Sequence, residues 1–253
     1  MRRVLKIGGR AQGDPQLVTL IALALQRGDS IAVVHGGGDE VSVLQRRLGL
    51  EPQFLGGRRV TSPEALEVVR MVLSGAINKR LVAQLLSGGV RAVGISGEDG
   101  ALIQARVTDA DYGRVGGDIV AASTLITLLW SGGFIPVISP LGRDAEDAEG
   151  AGLNVNGDDA AAAIAAALGA DELLLIADVP GVLDDAGKPI RQLDAASAQA
   201  LVASGVVKGG MAAKLEAGAQ ALRNGVGRVR IGNLQLITDA AAGTRLVTSP
   251  VPV

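Results

Sequence analysis

Short apolar runs that stop at glycine and hand over to a helical pattern recur along the chain, and this alternation constrains the fold more than any other feature. Residues 3–7 are strand-like and stop at Gly8 and Gly9. Asp14 and Pro15 then supply an N-cap and a first-turn proline for a helix over 16–27. Residues 30–34 repeat the move, ending in His35, Gly36, Gly37 and Gly38 before a helix at 39–48. The Gly56, Gly57 pair suggests a hairpin over 54–61, and Ser62 and Pro63 cap a long helical stretch to about residue 86. Strands are expected at 91–96, 134–139, 172–177, 228–231 and 245–248, with hairpin pieces at 101–107 and 113–115. Helices are expected at 118–130, 158–168, 194–203 and 211–224, with an acidic, glycine-rich excursion at 145–153. Strand–helix alternation of this kind predicts an α/β three-layer sandwich, with a mostly parallel open central sheet and helices on both faces. Ligands of such sheets bind beyond the carboxyl ends of the strands, where these glycines fall.

Composition narrows the function. The 253 residues carry 24 Lys+Arg and 26 Asp+Glu, a net charge of −2, and only four aromatics, Trp130, Tyr112, Phe54 and Phe134. Neither a basic footprint nor a stacking platform is present, so nucleic acid is not an expected partner. No cysteine occurs, which excludes disulfides and cysteine-held metals. The apolar run after Arg2 and Arg3 is broken at Lys6, Gly8 and Gly9, so no signal-peptide core forms, and no run reaches the ~18 apolar residues of a membrane span. A soluble cytoplasmic protein with no membrane partner is expected.

Several familiar motifs fail on inspection. His35 with its three glycines resembles an oxyanion loop, but no Gly-x-Ser-x-Gly elbow exists and His35 is the only histidine. The Gly181 to Lys188 segment is one residue too long for a P-loop, and Pro189 stands where a hydroxyl must meet the metal. No Gly-x-Gly pair continues to a dinucleotide fingerprint.

What remains is glycine turns, which let backbone N–H groups approach an anion, together with isolated lysines. Lys6 interrupts an apolar strand and must either snorkel outward or project into a polar site. Lys214 sits early in a helix, where its charge opposes the helix dipole. Arg58 and Arg59 are either a solvated pair or a carboxylate fork. Asn154, Asn156, Asp158 and Asp159 precede an alanine-rich helix, with Asp158 or Asp159 as a candidate N-cap.

In this order the pieces resemble the amino acid kinase family, and most closely its acetylglutamate-kinase branch, almost end to end. Val4, Leu5, Lys6, Ile7, Gly8, Gly9 is similar to the family's first strand and turn, and Val33 to Gly38 to its second. Gly57, Arg58, Arg59, Val60, Thr61 resembles the segment gripping an acyl-amino-acid's α-carboxylate. Asn154 to Asp158 resembles the Asn-x-Asn-x-Asp motif, 178–183 the adenine-nucleotide loop, and 209–214 the loop of the second lysine.

The resemblance implies ATP-dependent phosphorylation of the side-chain carboxylate of N-acetyl-L-glutamate in arginine biosynthesis. A carrier-protein-linked aminoadipate kinase of lysine biosynthesis is the alternative. Lys6, Lys214 and Asp158 would be catalytic, the lysines stabilising charge on the transferring phosphoryl group and Asp158 holding both in place. Gly8 and Gly9 would meet phosphate, Gly37 and Gly38 the acceptor carboxylate, Arg59 the α-carboxylate and Asn154 the acetylamino end. Asp178, Val179, Pro180, Gly181, Val182 and Leu183, with Val206, Val207 and Lys208, would line the ATP site. Mg²⁺ would be held mainly by phosphates and water. Two lobes sharing the sheet are implied, 1–170 for acceptor binding and dimerisation and 171–253 for ATP. Arg58, Glu98, Lys208 and Gly209 depart from the family pattern. Arginine-inhibited members carry an extra N-terminal helix, whereas the first strand here begins at residue 3. A homodimer joined mainly through 62–86 and insensitive to arginine is therefore expected.

Overall fold

A computed structural model describes residues 1–248. In chain order the strands are β1 Arg2–Ile7, β2 Ser30–His35, β3 Gln53–Leu55, β4 Arg58–Val60, β5 Ala92–Ser96, β6 Ile103–Val107 and β7 Val115–Ala121. They continue as β8 Ile135–Ser139, β9 Leu141–Asp144, β10 Gly152–Val155, β11 Glu172–Ile176, β12 Gln192–Asp194, β13 Val229–Gly232 and β14 Thr244–Val247. The helices are α1 Gln16–Gln26, α2 Gly38–Arg47, α3 Pro63–Arg70, α4 Asn78–Ser87, α5 Thr124–Ser131, α6 Gly157–Ala167, α7 Ala195–Ala203 and α8 Gly210–Arg223.

Eight strands form one sheet in the order β12-β14-β13-β11-β1-β2-β8-β5, parallel at every junction but β13–β14. The order reverses around β1, so the crossovers leave a crevice at the carboxyl ends of β1, β2 and β11. Alternate residues of the central strands enter opposite cores, as the strand period of two requires. Val4, Val34, Leu173, Leu175 and Ile231 pack with α5, α6 and α8 on one face. Leu5, Ile7, Ile31, Val33, Leu174 and Ile176 pack with α1, α4 and the turn Leu234–Ile237 on the other. Alanines at 160, 161, 162 and 165 let α6 lie close against the sheet, all of them buried. Strands β6, β7, β9 and β10 close into a small barrel beside the sheet, and β3 and β4 form the glycine hairpin.

The three-layer parallel architecture is the one the alternation predicts, and several boundaries differ. Residues 118–121 are strand rather than helix, because Val120 and Ala121 pair with Gln104 and Ile103 across the β6–β7 ladder. The long helix over 62–86 forms, but its middle, Met71–Ile77, is π-helical. Ser62 caps it by accepting the Ala65 N–H. Asp14 likewise accepts the Gln16 N–H at 2.8 Å at the start of α1. Strands β9 and β12, four and three residues long, are too short to carry a readable alternation.

Candidate active site

The site is built where β1, α6 and α8 meet. Lys6 shares a sheet face with Val4, since residues two apart point the same way, and that face looks toward α6 and α8. Its side chain is only 10% exposed, with Nζ 3.0 Å from Asp158 Oδ1. Lys214, one turn into α8 and equally buried, donates to both Asp158 oxygens at 3.2 Å. The lysine that looked misplaced for helix stability is thus held by a carboxylate from another helix. Burial lowers the Lys214 pKa first, and the Lys6 charge lowers it further against the pull of Asp158. One carboxylate therefore holds two ammonium groups, and the trio has a net charge of +1.

Asp158 is not the helix cap that its position suggested. Asn156 caps α6, its Oδ1 accepting the Asp158 N–H at 2.8 Å and the Asp159 N–H at 3.3 Å. The cap frees the Asp158 carboxylate to turn toward the lysines, and the N-terminal end of the helix dipole favours its charge. Asp159 points elsewhere. Burial raises its pKa to about 6, opposed by Arg58 and reinforced by Asp158 and Glu216. Its carboxylate lies 3.9 Å from Arg58.

Lys6 and Lys214 open onto a cavity of about 400 Å³ lined also by Gly8, Gly9, Gly36, Gly37, Gly38, Arg59, Asn154 and Asn156. Gly37 must be glycine, because at φ +152 a Cβ would sit 2.1 Å from Ile77 Cδ1. Apart from side-chain amide oxygens, the polar side chains pointing here are donors, which suits an anionic ligand.

Arg59, on β4, is pre-positioned. Its guanidinium donates to Gly38 O and Ser42 Oγ, both at 2.7 Å, and to Gln45 Oε1, while stacking 4.8 Å from the Phe54 ring centroid. Ser42 and Gln45 escaped the sequence reading, although their spacing from Gly38 puts all three on one face of α2. Asn154 is placed on β10 and donates to Thr61 Oγ1 at 3.1 Å. The structure therefore gathers Lys6, Lys214, Gly8, Gly9, Gly37, Gly38, Arg59 and Asn154 around one cavity, with Asp158 behind the two lysines.

Two other expected segments lie outside that cavity. Residues 178–183 follow β11, with Val182 fully buried and its N–H on Thr244 Oγ1 at 2.8 Å. Asp178 lies 3.7 Å from Arg10 beside the Gly8, Gly9 turn. Val206, Val207 and Lys208 precede α8, with Val207 buried and Val206 41% exposed. A second cleft of about 740 Å³ runs from Asp158 past Gly209 and Gly210 between α7 and α8.

The sequence matches the amino acid kinase family over residues 1–233. The chain belongs to the amino acid kinase family. It is 42% identical to the acetylglutamate kinase of Jannaschia sp. (strain CCS1), over 96% of this chain and 88% of that one. It is 44% identical to the acetylglutamate kinase of Rubrobacter xylanophilus, over 88% and 85%. Among solved structures, smu.665 from Streptococcus mutans UA159 superposes with a TM-score of 0.88 at 29% identity, covering 98% of this chain and 99% of that one. The amino acid kinase fold thus accounts for the sheet order and for the crevice in which the lysines meet.

Proposed function

We propose that this amino acid kinase transfers the terminal phosphoryl group of ATP to the side-chain carboxylate of N-acetyl-L-glutamate, giving N-acetyl-L-glutamyl 5-phosphate and ADP for arginine biosynthesis. The observation that carries the reading is the convergence of Lys6 and Lys214 on Asp158 at the mouth of a glycine-lined cavity. The likeness to acetylglutamate kinases over nearly the whole chain selects the acceptor. Nothing favours the carrier-linked aminoadipate alternative.

The chemistry asks for positioning more than for acid–base groups. An acceptor carboxylate with an ordinary pKa near 4.3 is already ionised at pH 7, so no general base is needed. Its oxygen attacks the terminal phosphorus, the bond from that phosphorus to the ADP oxygen breaks, and the electron pair leaves with ADP. Lys6 and Lys214 neutralise charge that spreads over the transferring group and the leaving oxygen. Asp158 holds both ammonium groups at the correct separation. The N–H groups of Gly8 and Gly9 face phosphate, those of Gly37 and Gly38 face the acceptor carboxylate, Arg59 takes the α-carboxylate and Asn154 the acetylamino end. Residues 178–183 and 206–208 line the nucleotide on the far side of the lysines, the first flanking the Gly8, Gly9 turn and the second preceding α8. Magnesium accompanies the nucleotide, held mainly by phosphates and water.

By the same reading, 1–170 is the acceptor lobe and 171–253 the nucleotide lobe of one shared sheet. Two chains associate through the 62–86 helical stretch, where Met71 and Leu86 are more than half exposed. No helix among the described residues is long and apolar enough to cross a membrane.

The test is acyl-phosphate formation trapped as hydroxamate, with ATP, Mg²⁺ and N-acetyl-L-glutamate, beside free glutamate and N-acetylaminoadipate. Turnover confined to acetylglutamate is expected. Turnover only with the aminoadipate compound, or none at all, would overturn the reading.

A further inference from the structure

The only histidine in the chain, His35, is fully buried at the end of β2 and takes no part in the transfer described above. Its surroundings determine where its proton sits. Lys79 Nζ, which can only donate, lies 3.2 Å from Asn78 Oδ1 and 2.9 Å from Gly94 O. That fixes which atom of the Asn78 amide faces which way. Nδ2 then donates to Val137 O at 2.9 Å and meets His35 Nε2 at 3.2 Å. An amide nitrogen cannot accept, so Nε2 must be the unprotonated nitrogen. The proton resides on Nδ1, which donates to Gly36 O at 3.0 Å. The fit around Asn78 is close, since a Cβ at Gly94 would fall 1.9 Å from its oxygen. Burial lowers the imidazole pKa to about 4 against the raising effect of the Gly36 bond, and the nearby charges of Arg80, Lys6 and Lys79 lower it further.

The Gly36 carbonyl has a second donor. Gln12, in the 3₁₀ turn Arg10–Gly13, places Nε2 3.1 Å from Gly36 O and 3.4 Å from Ile7 O. The Gly36 N–H also reaches Ile7 O at 3.1 Å. One side-chain amide therefore ties the carbonyls at the ends of β1 and β2 together. No cis peptide occurs among the described residues, and in a trans peptide the N–H points opposite to the C=O. Holding the carbonyls of Ile7 and Gly36 on the Gln12 and His35 side turns the next N–H groups, of Gly8 and Gly37, the other way. Both glycines line the cavity.

We infer that Asn78, His35 and Gln12 form a hydrogen-bond relay that fixes the Ile7–Gly8 and Gly36–Gly37 peptide planes and aims the two N–H groups at the anionic ligands. All three are positioning residues, and the inference rests on the kinase reading for the identity of those ligands. Without the relay each peptide can rotate, and the donors lose the pre-orientation that makes them effective against developing charge.

A single histidine makes the assignment directly measurable by long-range ¹H–¹⁵N correlation of the imidazole in the intact, ligand-free protein. The expected result is one neutral Nδ1–H tautomer that does not titrate between about pH 6 and 8. An Nε2–H tautomer, or a titration in that range, would overturn the relay. Gln12→Met keeps the length of the side chain and removes its donors. It should move the Gly8 and Gly37 amide resonances and lower kcat about tenfold, with the acceptor KM changing less than about threefold. Unmoved resonances or a wild-type kcat would overturn the relay. A wild-type protein without turnover strikes the kinase reading instead, while the tautomer and the two amide resonances decide the relay by themselves.

Discussion

Strand β1 carries two buried cations three residues apart, and their fates differ. Lys6, on one face near the carboxyl end, joins Lys214 around Asp158. Arg3, on the other face near the amino end, joins Arg230 around Glu172 at 2.9 and 2.8 Å, with Arg228 at 3.6 Å. Each site sets two buried cations against one buried carboxylate. The arginine site is closed by protein acceptors. Arg3 also donates to Leu236 O and Ile237 O and pairs with Asp29, while Arg230 donates to Leu236 O, Asp239 O and Ala242 O. The lysine site ends at a glycine-lined cavity. Arginine forks that are saturated by carbonyls tie strands to a turn, whereas ammonium groups held by a single carboxylate keep hydrogens directed at a ligand. The same charge pattern is structural at one end of the sheet and chemical at the other.

Substitutions at the two ends should separate those roles. Lys214→Ala leaves Asp158 paired with Lys6, so the fold persists while kcat falls about 10³–10⁴-fold, roughly 4–5 kcal/mol of lost transition-state stabilisation. Steady-state kinetics beside a melting curve checks this. Glu172→Ala should do the reverse. It leaves buried Arg230 without a carboxylate and Arg3 with Asp29 alone, costing about 3–5 kcal/mol and lowering Tm by about 10 °C, with kcat of the folded protein unchanged well below the melt. A lost kcat there would erase the distinction. Arg59→Ala should act mainly on acetylglutamate, raising its KM about 10–100-fold with kcat changed far less.

The smallest effect is at Asp159, which adjoins Asp158 but lacks its two lysines. Its pKa is raised from 3.8 to about 6. The folded state therefore holds the proton more tightly than the unfolded chain. The stabilisation is complete below 3.8 and is lost as pH rises through about 6. Against Asp159→Asn, the wild-type urea midpoint should fall over that window. Because the side chain is a third exposed, solvent screening keeps the difference modest. Parallel midpoints would place Asp159 in an ordinary surface environment.

The alternation of apolar runs and helices carried the layered fold, because a parallel sheet buried on both faces leaves continuous hydrophobic strands between capped helices. The lysines were legible as anomalies, Lys6 in an apolar strand and Lys214 at the wrong end of a helix. Their shared partner was legible only through the family resemblance, since Asp158 reads locally as a cap; Asn156 does that capping, and the packing of α6 against β1 and α8 brings Asp158 to both lysines. The arginine network was illegible for a related reason. Glu172 lies 169 residues from Arg3 and 58 from Arg230, and the three meet only through the strand order β13-β11-β1. Strand β7 was misread because Ile119 and Val120 adjoin a true helix, and pairing with β6 decided the boundary.

The most direct measurement is hydroxamate formation at saturating ATP, Mg²⁺ and N-acetyl-L-glutamate by Lys214→Ala and Glu172→Ala beside the wild type, each held well below its own melting temperature. The lysine variant is expected to lose about 10³-fold or more while the glutamate variant keeps the wild-type rate, as the division of roles along β1 requires. A lysine variant within tenfold of wild type, or a glutamate variant as slow as the lysine one, would contradict it.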